Sequence, residues 1–342
     1  MADAAETERR KEEHLRIPLE RDVQSIPNPW DAVRLRHEAL PESDKDDVAL
    51  ATRFLGHDLG APVQVTGMTG GAQRAKQVND RLAAAAAHHG LAMGIGSQRA
   101  AIENPQLEDT YRVILDHDVP LRGANLGLPQ IIQWGDDAAA KAEAAIEMVD
   151  AHVLWIHLNA LQEAVQPEGD TDHRGGLGAI ERLCADLKVP VAVKETGAGI
   201  DGRTAKRLEA AGVGAIDVGG LGGTSFSAVE HHRAVDQGDA AKARLGRTFW
   251  DWGIPTPYAV GSVRTACPGI PMVATGGLRH GLDAARALAL GADIAGFAGT
   301  VFRAAAAERA TEELGFILEE LKTGLFLAGV RRPADLSADC CL

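Results

Sequence analysis

Cysteine is scarce in this 342-residue chain: Cys184, Cys267 and the adjacent Cys340 and Cys341 show neither a CxxC spacing nor a disulfide-rich pattern. That leaves no readable zinc site and fits a reducing, cytoplasmic compartment. No apolar run approaches the ~20 residues needed to span a bilayer. The charged stretch from Asp3 to Glu13 lacks the apolar heart of a signal peptide. Positive charge is also short, with 35 Lys and Arg against 48 Asp and Glu, a net charge of -13. A general nucleic-acid footprint or attraction to an anionic membrane surface is therefore not expected, and any phosphate ligand needs a local basic cluster. A strand-linked GxGxxG motif is missing too, so no dedicated dinucleotide site is read.

What is present is repetition. From Pro62 onward a short apolar run ends in a Gly- or Asn-bearing tip and is followed by an alanine-rich amphipathic stretch. The runs fall at residues 63–66, 91–95, 121–124, 153–158, 190–193, 214–218, 270–274 and 293–297. Eight such alternating units argue for an α/β fold of the (β/α)8 TIM barrel type rather than a doubly wound sheet. Residues 62–342 form the catalytic barrel domain in this reading, and residues 1–61 an N-terminal extension covering the active site. Residues 24–47 read as an irregular approach, residues 230–265 as an inserted loop plus helix, and residues 308–327 as a closing helix.

Barrels carry their chemistry at the C-terminal ends of the strands. The run at 153–158 is the richest: His157, Asn159, Gln162 and Glu163 follow it within seven residues, before Pro167-Glu168-Gly169-Asp170 interrupts regular structure. A carboxylate offers a hard oxygen to Mg2+, and amides can hydrogen-bond an anionic substrate. On spacing alone, the same residues serve equally well to satisfy buried backbone groups, with Glu163 capping a helix. Gly276-Gly277 and Ala298-Gly299 end the last two runs, where barrels commonly bind phosphate through backbone N–H groups. Thr69, Ser97, Asn125, Lys194 and Thr224 put hydrogen-bonding groups and one ammonium on other tips, a set suited to a planar flavin mononucleotide. Lys194 could instead form a Schiff base or pair with Glu195. Arg10 and Lys11 read either as a solvated helix start or as a phosphate clamp folded over the rim.

Taken in order, Arg10-Lys11-Glu12-Glu13-His14, Ala39-Leu40-Pro41-Glu42, Gly67-Met68-Thr69-Gly70-Gly71, Gly96-Ser97-Gln98-Arg99, His157-Leu158-Asn159 with Gln162-Glu163, Gln166-Pro167-Glu168-Gly169-Asp170, Val193-Lys194-Glu195 and Thr275-Gly276-Gly277-Leu278-Arg279 closely resemble the type II isopentenyl diphosphate isomerases over nearly the whole chain. The resemblance implies interconversion of isopentenyl and dimethylallyl diphosphate by a 1,3-allylic proton shift, with reduced FMN, Mg2+ and NADPH as the flavin reductant. It implies that Gly67, Met68, Thr69, Gly70, Ser97, Asn125, Lys194, Gly219, Thr224, Gly276, Gly277, Leu278, Ala298 and Gly299 bind the flavin. Arg10, Lys11, Ser97, Gln98, Arg99, Asn159 and Gln162 would hold the substrate, Glu163 would ligate Mg2+, and His157 and Gln162 would be catalytic. The partner is a small prenyl diphosphate, with no nucleic acid and no membrane, and the resemblance implies a homo-oligomer, a tetramer or octamer.

Departures from the family pattern are Thr171 and His173 where an arginine and an aromatic are usual, Pro18 for a cysteine, and residues 25–29, which lack the usual Gly-Phe turn. They bear on the exact prenyl substrate, and Thr171 and His173 motivate a paralogue acting on a modified or longer prenyl diphosphate. A second rival is an FMN-dependent α-hydroxy-acid oxidoreductase, which needs a carboxylate-binding arginine that the His157 to Glu163 group does not offer. A third is a non-catalytic binding protein.

Overall fold

In the computed structural model, which describes residues 2–342 with side chains from Arg10 onward, helix α1 (Ala2–Glu20) leads through an irregular strap to an antiparallel hairpin of β1 (Thr52–Phe54) and β2 (His57–Leu59). Eight parallel strands follow: β3 (Val63–Val65), β4 (Ala92–Gly94), β5 (Leu121–Gly127), β6 (Val153–Leu158), β7 (Val191–Glu195), β8 (Ala215–Asp217), β9 (Met272–Thr275) and β10 (Ile294–Phe297). They pair in sequence order, and β10 closes on β3. The barrel stands where the eight apolar runs put it, with ends moved by a few residues.

Alternate residues of these strands part company, because side chains on a strand point to opposite faces with a period of two. Val63, Val65, Leu154, Ile156, Val191, Val193, Met272 and Ala274 pack outward against helix residues such as Leu82, Leu183, Leu208 and Leu288. Ala92, Leu121, Val153, Trp155, Ala192, Ala215, Val273 and Ile294 form a separate cluster inside the barrel. Two residues further up the same inward face come His157, Lys194, Asp217 and Thr275, and on β5, four beyond Leu121, comes Asn125. Register sets His157 beside Lys194, and Lys194 beside Asp217.

The extension divides where the sequence reading had it as one cover. Ile17 of helix α1 and Val23 just beyond it pack with Ala228 and Val229 on the rim side. The hairpin instead packs Phe54 and Leu59 into the inward cluster at the opposite end, so it plugs the floor and does not cover the site. The insertion holds three helices, Phe226–Gln237, Ala240–Thr248 and Thr256–Ala266, in place of a loop plus one helix. The C-terminal tail pairs back on the strap through Arg36 N–H to Cys340 O (2.7 Å) and Leu342 N–H to Arg34 O (2.9 Å). Among the described residues no helix is long and apolar enough to cross a membrane, and the four cysteines are free.

Candidate active site

The strand tips and α1 enclose a cavity of about 680 Å³ on the C-terminal rim. Its wall includes Gly67, Met68, Thr69 and Gly70 after β3, Ser97 and Arg99 after β4, Asn125 on β5, and His157, Asn159, Gln162 and Glu163 from β6. Lys194, Gly219, Thr224, Gly276, Gly277, Leu278, Ala298 and Gly299 continue it around the barrel, and Arg10 and Lys11 close it from α1. Gln98 is the expected site residue that does not join the wall. Fully buried, it donates from Nε2 to Ala145 O (2.7 Å) and accepts from Asn125 N–H (2.9 Å), so it braces β5 and has no face toward a ligand. Thr171 and His173 also lie off the cavity, whereas Pro18, Ser25, Ile26 and Asn28 line it.

At the β6 tip, the His157 Nδ1 meets Asn125 Oδ1 at 2.8 Å, and an amide oxygen only accepts, so Nδ1 carries the proton. Burial first, then the Lys194 and Lys11 charges, hold its pKa down at about 3, which makes the imidazole neutral. Glu163 accepts from Asn159 Nδ2 (2.7 Å), Gln166 Nε2 (2.5 Å) and Asp170 N–H (2.8 Å). All three of these hydrogen-bond partners are neutral. Asn159 Oδ1, beside it, is buried without a hydrogen-bond partner. A carboxylate and an orphaned amide oxygen on two residues that line one cavity suit a hard cation whose other ligands are waters or substrate oxygens. Among the described residues no cluster of three or more His, Cys, Asp or Glu is arranged for a metal, so such an ion would lean on Glu163.

The two lysines are used differently. Lys11 Nζ donates to Gly70 O (2.8 Å), Ser97 O (3.0 Å) and the Tyr111 hydroxyl (2.6 Å), which occupies all three of its protons. In this arrangement it ties α1 to two flavin-type tips, and a phosphate could be held by it only by displacing one of these acceptors. Burial, reinforced by Arg10, pulls its pKa to about 7 in spite of these acceptors. Arg10 has no hydrogen-bond partner among the described residues and lines the same wall. Among the described residues Lys194 donates only to the main-chain O of Glu195 (3.1 Å). Burial lowers its pKa, and Asp217 and Glu195 act the other way. The Glu195 carboxylate is not its ion-pair partner at hydrogen-bond range, because Oε2 collects the N–H groups of Thr196, Gly197, Ala198 and Gly199 and shapes the β7 tip.

Sequence reading missed the group that fastens the cover. Arg233, 1% exposed, binds Glu13 of α1 (2.8 Å), Glu168 of the β6 loop (2.6 Å) and Glu230 of its own helix (2.6 Å). Glu230 in turn meets His14 (2.8 Å) and accepts from Gln162 Nε2 (3.3 Å). Burial would raise the Glu230 pKa, but His14 and Arg233 outweigh it and bring it to about 2. Along the chain, Glu230 and Arg233 look like any i,i+3 surface pair, and nothing local marks two distant carboxylates, Glu13 and Glu168, as converging on the same guanidinium.

At the far side, the N–H groups of Gly277 and Leu278 have no acceptor among the described residues. The helix Gly299–Ala306 begins beside them without a side-chain cap, and Arg303 lines the cavity. Unpaired amides, a helix N-terminus and a guanidinium suit a phosphate. Beside Gly299 an added Cβ would meet nothing closer than 3.4 Å, whereas at Gly276 and Gly277 it would strike the Gly220 and Gly222 carbonyl oxygens at 2.2 and 2.3 Å, so the tip is closely packed on the protein side. The residues present therefore fit a phosphorylated planar cofactor.

Comparison with known proteins agrees. The profile of the FMN-dependent dehydrogenase family matches residues 128–342. An isopentenyl-diphosphate delta-isomerase of Thermoplasma volcanium is 44% identical over 96% of this chain and 94% of its own, and one of Nostoc sp. is 46% identical over 96% and 93%. Among solved structures, flavocytochrome b2 with sulfite bound superposes with a TM-score of 0.66 at 16% identity over 92% of this chain and 76% of that one, a likeness of fold alone. Identity of this extent over nearly full length, on an FMN-type barrel with this rim, means that the chain belongs to the type II, FMN-dependent isopentenyl-diphosphate delta-isomerase family.

Proposed function

We propose that the protein interconverts isopentenyl and dimethylallyl diphosphate by a 1,3-allylic proton shift. The observation that carries this reading is one cavity that joins a phosphate-suited glycine rim to the amide and carboxylate group of β6, whose Asn159 Oδ1 has no partner. The shift moves no net electrons, and when bound in its reduced form FMN would supply the proton donor and acceptor. The chain's own residues bind and orient. Glu163 would hold Mg2+ together with substrate oxygens, and Arg10, Arg99, Ser97, Asn159 and Gln162 would hold the diphosphate, fixing the alkene against the flavin face. His157 and Gln162 carry no charge; they would orient the reacting end through hydrogen bonds, His157 being locked in one tautomer by Asn125. Leu15, Pro18 and Phe226 supply apolar wall for the prenyl group.

NADPH as reductant, a cytoplasmic location and a homo-oligomeric state belong to the same proposal. The longer-chain alternative loses support because Thr171 and His173 lie off the cavity. The α-hydroxy-acid alternative is not disfavoured by lack of arginine, since Arg10, Arg99, Arg279 and Arg303 all reach the wall; it is the relatives' identity that tells against it. The test is anaerobic incubation of NADPH-reduced holoprotein with isopentenyl diphosphate and Mg2+. Dimethylallyl diphosphate is the expected product. Turnover of only longer prenyl diphosphates, or flavin reduction by 2-hydroxy acids, would overturn the reading.

A further inference from the structure

The strap after α1 departs from the family pattern at residues 25–29, and it is here that the chain reaches over to the phosphate-suited end of the cavity. Trp30 is fully buried, and its indole N–H donates to Gly276 O at 2.8 Å. Asn28 donates from Nδ2 to Gly277 O at 2.8 Å, while its Oδ1 accepts the Trp30 N–H at 3.0 Å, so the two side chains form one unit. Pro29, between them, sits against Gly222, where an added Cβ would come within 2.8 Å of the ring.

In a trans peptide the C=O and N–H of one plane point in opposite directions. A Gly276 carbonyl held by Trp30 therefore turns the Gly277 N–H away from the strap, and a Gly277 carbonyl held by Asn28 does the same to the Leu278 N–H. These are the two amides left without an acceptor, and both residues line the cavity. Gly276 and Gly277 have φ of +123° and +75°, a backbone that other residues rarely adopt. Such a permissive pair would be free to rotate its peptide planes without an outside hold. Ser25, earlier on the strap, belongs to the same cavity wall, and its buried hydroxyl has no hydrogen-bond partner among the described residues.

We propose that Asn28 and Trp30 are positioning residues for the cofactor phosphate: by holding the Gly276 and Gly277 carbonyls they aim the Gly277 and Leu278 N–H groups at it. The inference rests on the flavin mononucleotide reading above. Deflavinated full-length protein is titrated with FMN and with riboflavin, which lacks the phosphate, by quenching of flavin fluorescence. The parent binds FMN more tightly than riboflavin. Trp30→Phe, which keeps the ring and loses the N–H, and Asn28→Leu, which covers the case in which the buried tryptophan tolerates no change, each weaken FMN by about tenfold, the scale of one net hydrogen bond. Riboflavin affinity stays within a factor of about two, because it makes no phosphate contact. The 31P resonance of bound FMN moves in either variant. An FMN to riboflavin ratio equal to the parent's, or an equal loss for both flavins, overturns the inference. A parent that does not distinguish the two flavins overturns instead the phosphate site on which it rests.

Discussion

The floor and the rim of the barrel are made by the same inward face of the same strands, yet they bury opposite chemistries. At the floor, Trp155, Val153 and Val273 cluster with Phe54 and Leu59 of the hairpin. Two residues on, the same face carries the half-buried His157 and the buried Lys194 and Asp217. An apolar floor stabilises through burial and packing and asks nothing of its neighbours beyond shape. A buried polar rim stabilises little by itself, since its charges are costly to desolvate and hold only when every partner is in place. Folding free energy therefore collects at one end of the barrel, while tuned protonation states and unpaired polar atoms collect at the other.

Four experiments would break or sharpen that contrast. Arg233→Ala leaves Glu230, Glu13 and Glu168 without their shared cation, and breaking a buried pair costs about 3 to 5 kcal/mol. The urea midpoint should fall accordingly and α1 should become sensitive to protease; a change within experimental error would mean that the hub is not coupled to folding. Phe54→Ala opens the floor and should cost about 3 kcal/mol. Flavin affinity and turnover should stay at parent values, and a loss of either would show that floor and rim are not separable.

Glu163→Gln is the rim counterpart. Activity should drop on the order of 100-fold, as for a lost metal ligand or its support, and the Mg2+ response should disappear. Flavin content and urea midpoint should not move, and an unchanged Mg2+ dependence would remove Glu163 from the metal site. The smallest effect is one of pH. With a folded pKa near 3 against about 6.5 unfolded, the neutral His157 contributes stability that is whole above pH 6.5 and is lost as pH falls toward 3. The slope is on the order of 1 kcal/mol per pH unit in that window. His157→Asn should flatten it, and imidazole NMR of the parent should remain that of a neutral ring at pH 5; a titration near 6.5 would show the site to be wet.

How much of this was legible follows from what is local. Eight apolar runs and their tips were readable because strand alternation and glycine-rich turns are written in neighbouring residues. The β1–β2 hairpin was not, since its three-residue strands show too little alternation, and Phe54 and Leu59 become meaningful only against the inside of a closed barrel. Gln98 stands between Ser97 and Arg99, both of which line the cavity, and only the turn of the chain there sends its amide inward to Asn125 and Ala145. Lys11 is a basic residue on an exposed-looking stretch until Gly70, Ser97 and Tyr111 are brought around it.

Pattern along the chain, then, was enough for the barrel and for the strand tips that line its rim cavity, because each depends on periods of two to four residues. The Arg233 hub, the committed protons of Lys11, the neutral state of His157 and the hold of Asn28 and Trp30 on Gly276 and Gly277 were decided only by the fold. Burial and hydrogen-bond partnership are set by atoms contributed from 13 to 233, or from 28 to 277, and no local pattern carries contacts over such separations.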